Sequence, residues 1–469
     1  MSEDDDLIER DDTDEPSGEE ERAYALDKRV VAAIRSAVDE GNAEKLTELM
    51  EPLHQADIAD LLEQLSAYDR RRLIELYGHE FDGEILSELD EGIREEVLEF
   101  LPKDVLAEAV REMESDDVVD LLEDLDEPQQ EAILEALDES ERLVIEQALT
   151  YPEYSAGRLM QREVVIAPEH WTVGQAIDHM RNSEDLPDNF YHVILVDIRM
   201  HPVGQVSLGN IMRSRRDQML TELTEELFRT IPVDQYEGDV AYAFNQYHLI
   251  SAPVVDDDER LVGVITIDDA MAVLDEEHEE DILRMAGVNE EASLSDTIIE
   301  AAKGRATWLF VNLLTAILAS FVIEAFADSI DQLVALAVLM PIVASMGGNA
   351  GTQTMTVAVR ALATRDLTAQ NALRVIWREV AVGAVNGALF GLVMAVVVSV
   401  WFGVPMLAMV IGVAMFFTQV AAALGGILIP MALDRVKIDP ALASGPFVTT
   451  VTDVVGFFAF LGLASAVLL

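Results

Sequence analysis

Met340-Pro341-Ile342-Val343-Ala344-Ser345-Met346-Gly347-Gly348-Asn349-Ala350-Gly351 is an apolar run interrupted first by proline and then by three glycines and an asparagine. Further on, Asp453 stands inside a second apolar run, Val451-Thr452-Asp453-Val454-Val455-Gly456. Glycine lets backbone bend or approach a neighbour closely, and a carboxylate in hydrocarbon is costly unless it faces water or an ion. A membrane segment expected to break at its glycines, paired with an intramembrane carboxylate, points to a cation path.

Working outward, five apolar stretches, 306–327, 333–362, 373–402, 405–433 and 441–469, meet the roughly 20 residues a bilayer crossing needs. Lys303 and Arg305 precede the first, Arg360, Arg365, Arg374 and Arg378 flank the connection after the second, and Arg435 and Lys437 lie after the fourth. The connections at Asp328–Asp331 and Trp401–Pro405 carry no basic residue. The positive-inside rule therefore predicts a multi-pass cell-membrane protein with its N-terminus and soluble part cytoplasmic and its C-terminus outside. Trp308, Trp377 and Trp401 near span ends fit interfacial anchoring.

The chain has 469 residues and a formal charge of −57. Residues 301–469 hold eight basic and eight acidic residues, so the whole excess belongs to residues 1–300. Such a surface repels nucleic acid and anionic lipid and suits divalent cations or a halophilic setting. At about 1 M salt the Debye length is about 3 Å, so net charge there locates no binding site. Cysteine is absent, which removes disulfides and thiolate chemistry. Met1–Glu21 is acidic and polar, with no cleavable signal expected.

The soluble part reads as an acidic disordered tail at 1–23, a helical domain at 24–150, two small modules at 151–213 and 214–275, and an acidic connecting helix at 276–303. Within the helical domain, Asp57-Ile58-Ala59-Asp60-Leu61-Leu62-Glu63-Gln64-Leu65 is echoed by Asp117-Val118-Val119-Asp120-Leu121-Leu122-Glu123-Asp124-Leu125, which predicts stacked helical hairpins in a short superhelix. Val196-Asp197 and Val203-Gly204-Gln205-Val206 are matched by Val255-Asp256 and Val262-Gly263-Val264-Ile265, each set preceded by a helical stretch, Val173 to Met180 or Val240 to Tyr247. This duplication resembles a pair of CBS domains. On the connecting helix, spacing places Glu277, Glu280 and Asp281 on one face.

In chain order, helical repeats, paired CBS modules, an acidic connecting helix and five spans resemble the MgtE family of magnesium channels and transporters. The resemblance rests on Tyr151-Pro152-Glu153 with Ser155-Ala156-Gly157-Arg158-Leu159-Met160, on Pro341 with Gly347-Gly348-Asn349-Ala350-Gly351-Thr352-Gln353, and on Asp439-Pro440-Ala441 with Gly445-Pro446-Phe447-Val448-Thr449-Thr450-Val451-Thr452-Asp453. It implies a multidomain membrane protein: a cytoplasmic all-α superhelical domain, α/β tandem CBS domains, an acidic plug-type connecting helix, and a five-helix transmembrane pore domain at 304–469. It implies a homodimer in the lipid bilayer whose second and fifth spans line a central pore, and no enzyme activity. The implied function is passive, potential-driven Mg2+ uptake, closed by cytosolic Mg2+.

On that resemblance Asp453, supplied twice by symmetry, holds a hydrated Mg2+. Gly347, Gly348, Gly351 and Gly445 leave room for it, while Asn349, Thr449, Thr450 and Thr452 offer further oxygens. Hard Mg2+ suits oxygen ligands, and residues 301–469 contain no His or Cys. Regulatory Mg2+ is expected at Glu277, Glu280, Asp281 and Asp439, and at a second site with Asp269. Ala272 and His248 stand where the family commonly has acids, a departure that leaves the number and affinity of sensor sites open. Family members can bind ATP at the CBS pair, and no phosphate-cradling motif here decides that point. Glu324, Glu379 and Asp434, near span ends, are expected to face water or pair with neighbours such as Arg378 or Arg435. The alternatives are transport of Co2+ or Ni2+, Mg2+ efflux, and a membrane-anchored CBS nucleotide sensor.

Overall fold

The computed structural model describes residues 26–469 apart from 124, 126, 136, 184, 185, 188, 290, 291 and 293–297. The expected tail at 1–23 lies outside the described residues. The chain divides after Ala270 into two compact units.

The first unit opens with helices α1 (Lys28–Glu40), α2 (Ala43–Met50), α3 (Gln55–Gln64), α4 (Ala67–Tyr77), α5 (Glu84–Ser87), α6 (Glu91–Phe100), α7 (Lys103–Glu112), α8 (Ser115–Glu123), α9 (Glu127–Leu134) and α10 (Glu139–Ala148). Polar caps start several of them: Asp27, Asn42 and Ser66 accept backbone N–H groups, and His54 with Asp57 forms a capping box on α3. Apolar residues at three- and four-residue spacing then merge into one core that includes Ile34, Leu46, Leu62, Leu73, Ile85 and Leu121.

The echo noticed in the sequence extends to side-chain bonding. Arg70 donates from Nε to Leu62 O at 2.9 Å and from Nη2 to Leu65 O at 3.1 Å. In the second copy Gln130 Nε2 donates to Leu122 O at 2.7 Å and to Leu125 O at 2.8 Å. Each thus satisfies C-terminal carbonyls of the helix before it, groups that a helix leaves without internal partners.

Next come α11 (Ala156–Leu159), β1 (Ile166–Pro168), α12 (Val173–Asn182), β2 (His192–Val196), β3 (Pro202–Ser207), α13 (Leu208–Arg213), β4 (Ile231–Pro232), α14 (Glu237–Tyr247), β5 (Ser251–Val255) and β6 (Leu261–Thr266). β1-β2-β3 and β4-β5-β6 form two sheets of the same design, a parallel pair followed by an antiparallel one, with an irregularity after Leu195 in one and after Val254 in the other. Residues 155–161, read from sequence as the opening of the first module, complete the second. Ala156 N donates to Gln235 O at 2.7 Å, Gln161 N donates to Val264 O at 2.9 Å, and Ala156 and Met160 join the second module's core. Reciprocally, Leu220 N donates to Trp171 O at 3.0 Å, and Leu220 is buried in the first module's core. Each module borrows the segment that precedes the other, because three short strands leave an apolar face needing cover. A buried relay also joins them: His192 Nδ1 lies 2.7 Å from Ser251 Oγ and its Nε2 3.1 Å from Glu225 Oε1.

α15 (Ile267–Ala286) follows β6 without a break and ends at Gly287, whose φ of +70° suits glycine. The connecting helix therefore starts earlier than the sequence reading placed it. The second unit adds α16 (Ile298–Glu324), α17 (Ala327–Gln332), α18 (Ala335–Ala363), α19 (Ala372–Phe402), α20 (Pro405–Arg435) and α21 (Pro440–Leu468). All but α17 are long and apolar enough to cross a membrane. α20 is the central helix, packed against α18, α19 and α21, while α16 packs against α21 and leaves Leu309, Phe310, Leu313 and Phe321 exposed.

Small residues set these contacts. A Cβ on Gly383 would lie 2.8 Å from Ala423 Cβ, one on Gly387 2.9 Å from Phe416 Cα, and one on Gly391 2.5 Å from Gly412 O. Lipid supplies no hydrophobic drive between helices, so close backbone approach along such a seam supplies the attraction.

Candidate ion path and acidic clusters

The expected break in the second span is absent. α18 runs continuously from Ala335 to Ala363 with Pro341 inside it. Proline forfeits one backbone bond locally, and the glycines that follow serve helix packing. A Cβ on Gly347 would lie 2.7 Å from Thr418 Cγ2, one on Gly351 would lie 2.7 Å from Val448 Cγ1, and both glycines are buried. Gln419 Nε2 ties α20 to the same region by donating to Met346 O at 3.1 Å.

The opposite side of α18 is polar and exposed: Ser345, Asn349, Thr352, Gln353 and Thr356 form a stripe, with open space beside Gly348. On α21, Thr449 is exposed and Asp453 and Thr450 are half-buried, whereas Thr452 is fully buried inside the subunit against Gly347 and Gly351. Thr449 Oγ donates to Gly445 O at 3.0 Å, and Thr450 Oγ donates to Pro446 O at 2.6 Å. With their protons committed to the helix, the outward lone pairs of these hydroxyls remain acceptors, which suits the water shell of a cation. No described residue pairs with the Asp453 carboxylate. Among the described residues no group of three or more His, Asp or Glu is arranged to hold a metal ion. Polar helix faces within a membrane span turn to protein or water, so these two faces call for a covering surface. Glu379, by contrast, is buried and accepts from Arg378 Nη2 at 2.8 Å.

At the N-terminus of α21, Asp439 Oδ1 accepts from Ala441 N at 2.7 Å. Its Oδ2 accepts from Arg284 Nη1 at 3.0 Å, and Arg284 Nη2 also pairs with Glu280 Oε2 at 2.9 Å. Burial, then Asp439 and Glu277, pushes the Asp281 carboxyl above its usual range, against the pull of Arg284 and His278. The structure thus gathers Glu277, Glu280, Asp281 and Asp439, and adds Arg284, which sequence reasoning passed over. Gly445 lies beside this group, 3.9 Å from Met285 O when a Cβ is built on it.

Asp269 belongs to a different cluster, in the first unit. Its Oδ2 accepts from Thr266 Oγ at 2.6 Å and from Thr266 N at 3.1 Å. Glu114, Asp116, Asp117, Glu163 and Asp268 surround it. Asp116 is buried; its Oδ1 accepts from Asp117 N at 3.1 Å and its Oδ2 has no partner. Burial, followed by the Asp269 charge, pushes Glu114 and Asp117 each up to about 7 and Asp116 well above the carboxylate range. Asp269 is raised by burial and by Asp268, with Thr266 opposing. Such carboxylates accept either protons or a divalent cation. Sequence reasoning missed Asp116, although it stands where the first copy of the repeat has Ala56.

Comparison with known proteins matches residues 340–463 to MgtE, described as a divalent cation transporter, residues 53–154 to the MgtE intracellular N domain, and residues 156–217 and 223–276 to CBS domains. The magnesium transporter MgtE of Enterococcus faecalis is 35% identical over 319 residues, 68% of this chain and 70% of that protein. The magnesium transporter MgtE of Thermus thermophilus is 30% identical over 452 residues, 94% of this chain and 99% of that protein. A solved cytosolic domain of the Mg2+ channel MgtE, in complex with ATP, is 27% identical and covers 52% of this chain and 99% of its own, with a TM-score of 0.49. With one relative aligned along 94% of its length, another 35% identical over 68% of it, and family models matched from the helical domain to the last span, the chain belongs to the MgtE family.

Proposed function

We propose that this chain is a magnesium channel that admits Mg2+ passively, driven by the membrane potential, and that it closes when cytosolic Mg2+ binds its soluble acidic clusters. The observation that carries the reading is Asp453: a half-buried carboxylate with no partner among the described residues, on a membrane-spanning helix beside the exposed hydroxyl of Thr449. A second copy of the chain, related by a twofold axis, supplies the cover that the polar faces of α18 and α21 call for, and brings a second Asp453 to the same path. Two carboxylates and a ring of acceptor oxygens hold Mg2+ through its waters, which suits an ion that dehydrates reluctantly. Gly348, Asn349 and Thr449 are placed to line the path, with Thr450 at its margin.

Two charges crossing 100 mV release about 4.6 kcal/mol, enough for more than about a thousandfold gradient without a pump. The distribution of Lys and Arg favours a cytoplasmic soluble part and an external C-terminus. Closure follows from differential affinity: Mg2+ bound near Asp116, Asp117 and Asp269 relieves repulsion in one conformation more than in the other. ATP at the CBS pair is an open element of this reading, decided by equilibrium dialysis of labelled ATP against the full chain.

The test is Mg2+ entry into proteoliposomes under an inside-negative potential in concentrated monovalent salt. Native chain carries flux, Asp453→Ala abolishes it, and Co2+ or Ni2+ competes only weakly. Equal flux in native and variant protein moves the path elsewhere, and outward-only flux reverses the assigned direction. No flux from well-folded native protein favours a membrane-anchored sensor.

A further inference from the structure

The acidic set on the connecting helix is followed by one arginine, four residues after Glu280, and that arginine has a second partner far along the chain. Arg284 reaches Asp439 Oδ2 with Nη1 at 3.0 Å and Glu280 Oε2 with Nη2 at 2.9 Å. Asp439 engages its other oxygen with the Ala441 amide, so both of its oxygens are already occupied. That amide belongs to the first turn of α21, the helix that carries Asp453. The Arg284 and Asp439 side chains are 20% and 31% exposed. A pair so enclosed is screened by salt less than a surface pair is. Met285, the next residue, packs with Met355, Val359, Ala441 and Val448, which seats the guanidinium against the ends of α18 and α21.

A divalent ion taking Asp439 as a ligand must compete with this guanidinium, a strong and bidentate-capable partner for carboxylates. Asp281 lies beside the bridge and meets Asp439 and Glu277 as like charges. The arrangement differs from an acidic site awaiting an ion: it is a bridge with acidic neighbours.

We propose that Arg284 is a tethered cation that latches the connecting helix to the N-terminus of α21, holding this junction with no divalent ion on Asp439. The proposal rests on the gated-channel reading above. Releasing the latch frees the N-terminal end of α21 and raises resting flux when Mg2+ on the cytosolic side is low.

The test is the same proteoliposome flux at controlled cytosolic-side Mg2+, for native chain, Arg284→Gln, Asp439→Asn and their double variant. Asparagine keeps the helix cap, so Asp439→Asn removes the bridge without uncapping α21. Each single variant raises low-Mg2+ flux about fivefold or more, in line with ordinary coupling energies. The double variant adds nothing to the larger single effect. Non-additivity is the signature of a shared contact, which unrelated damage at two sites does not give. Native flux with an unchanged Arg284→Gln response overturns the latch and leaves the channel reading standing. If Arg284→Gln carries no flux at all, Asp439→Asn decides: raised low-Mg2+ flux supports the bridge, and native-level flux overturns it. Absence of native flux removes both readings together.

Discussion

A carboxylate that loses its water needs a partner, a cation or a proton. In the first unit Glu114, Asp116, Asp117 and Asp269 share a seam that offers few of the first. The carboxyls of Glu114 and Asp117 are raised from their usual range near 4 to about 7, so between those limits the folded state binds more protons than the unfolded one. Stability therefore falls as pH rises through that window. Thermal melts of the full chain in detergent without divalent ions should show the soluble transition dropping between about pH 5 and about pH 7.5, Mg2+ reversing the drop, and Asp116→Asn flattening it. Ser251→Ala should cost about 1–2 kcal/mol in the same melts, because it strips a partner from the buried His192 ring. Asp453 was legible in the sequence because a charge inside an apolar run has few innocent explanations. Asp116 was not, because one acid among 88 carries no signal until folding encloses it. Arg284 stayed hidden for the converse reason: its partner Asp439 lies 155 residues away.

At the scale of elements, the spans and the duplicated modules were readable because hydropathy and strand periodicity are local properties. What glycine does inside a span was not, since the same residue serves a pore, a kink or a tight helix contact. Gly347 and Gly351 make contacts, and Gly348 faces open space. Gly351→Ala would set a Cβ 2.7 Å from Val448 Cγ1 and should destabilise the bundle by about 1–3 kcal/mol in detergent melts. Gly348→Ala should leave the melt unchanged or improve it by up to about 1 kcal/mol, since alanine favours a helix. Flux lost by Gly348→Ala with the melt intact would place that residue on the ion path. The reciprocal loan of residues 155–161 and Leu220 between the CBS modules was equally invisible, because sequence order assigns a segment to the module it precedes.

At the scale of the whole molecule, charge is divided as sharply as hydropathy. The soluble residues carry the full −57, and the membrane part is balanced. Dilution of salt should therefore unfold the first unit while the helices of the second persist, seen as two separate calorimetric transitions in about 0.1 M salt, where the Debye length reaches about 10 Å. The same division has a consequence for sensing. Unbalanced carboxylates gather a counterion cloud, and in dilute salt that cloud is enriched in divalent ions over the bulk solution. Concentrated monovalent salt replaces them, so on the proposed gating the clusters around Asp269 and Asp281 would respond to the ratio of divalent to monovalent cation. On the proposed gating, such a surface would read the osmotic state of its host together with its magnesium, with one bulk Mg2+ concentration closing the gate in dilute medium and leaving it open in brine.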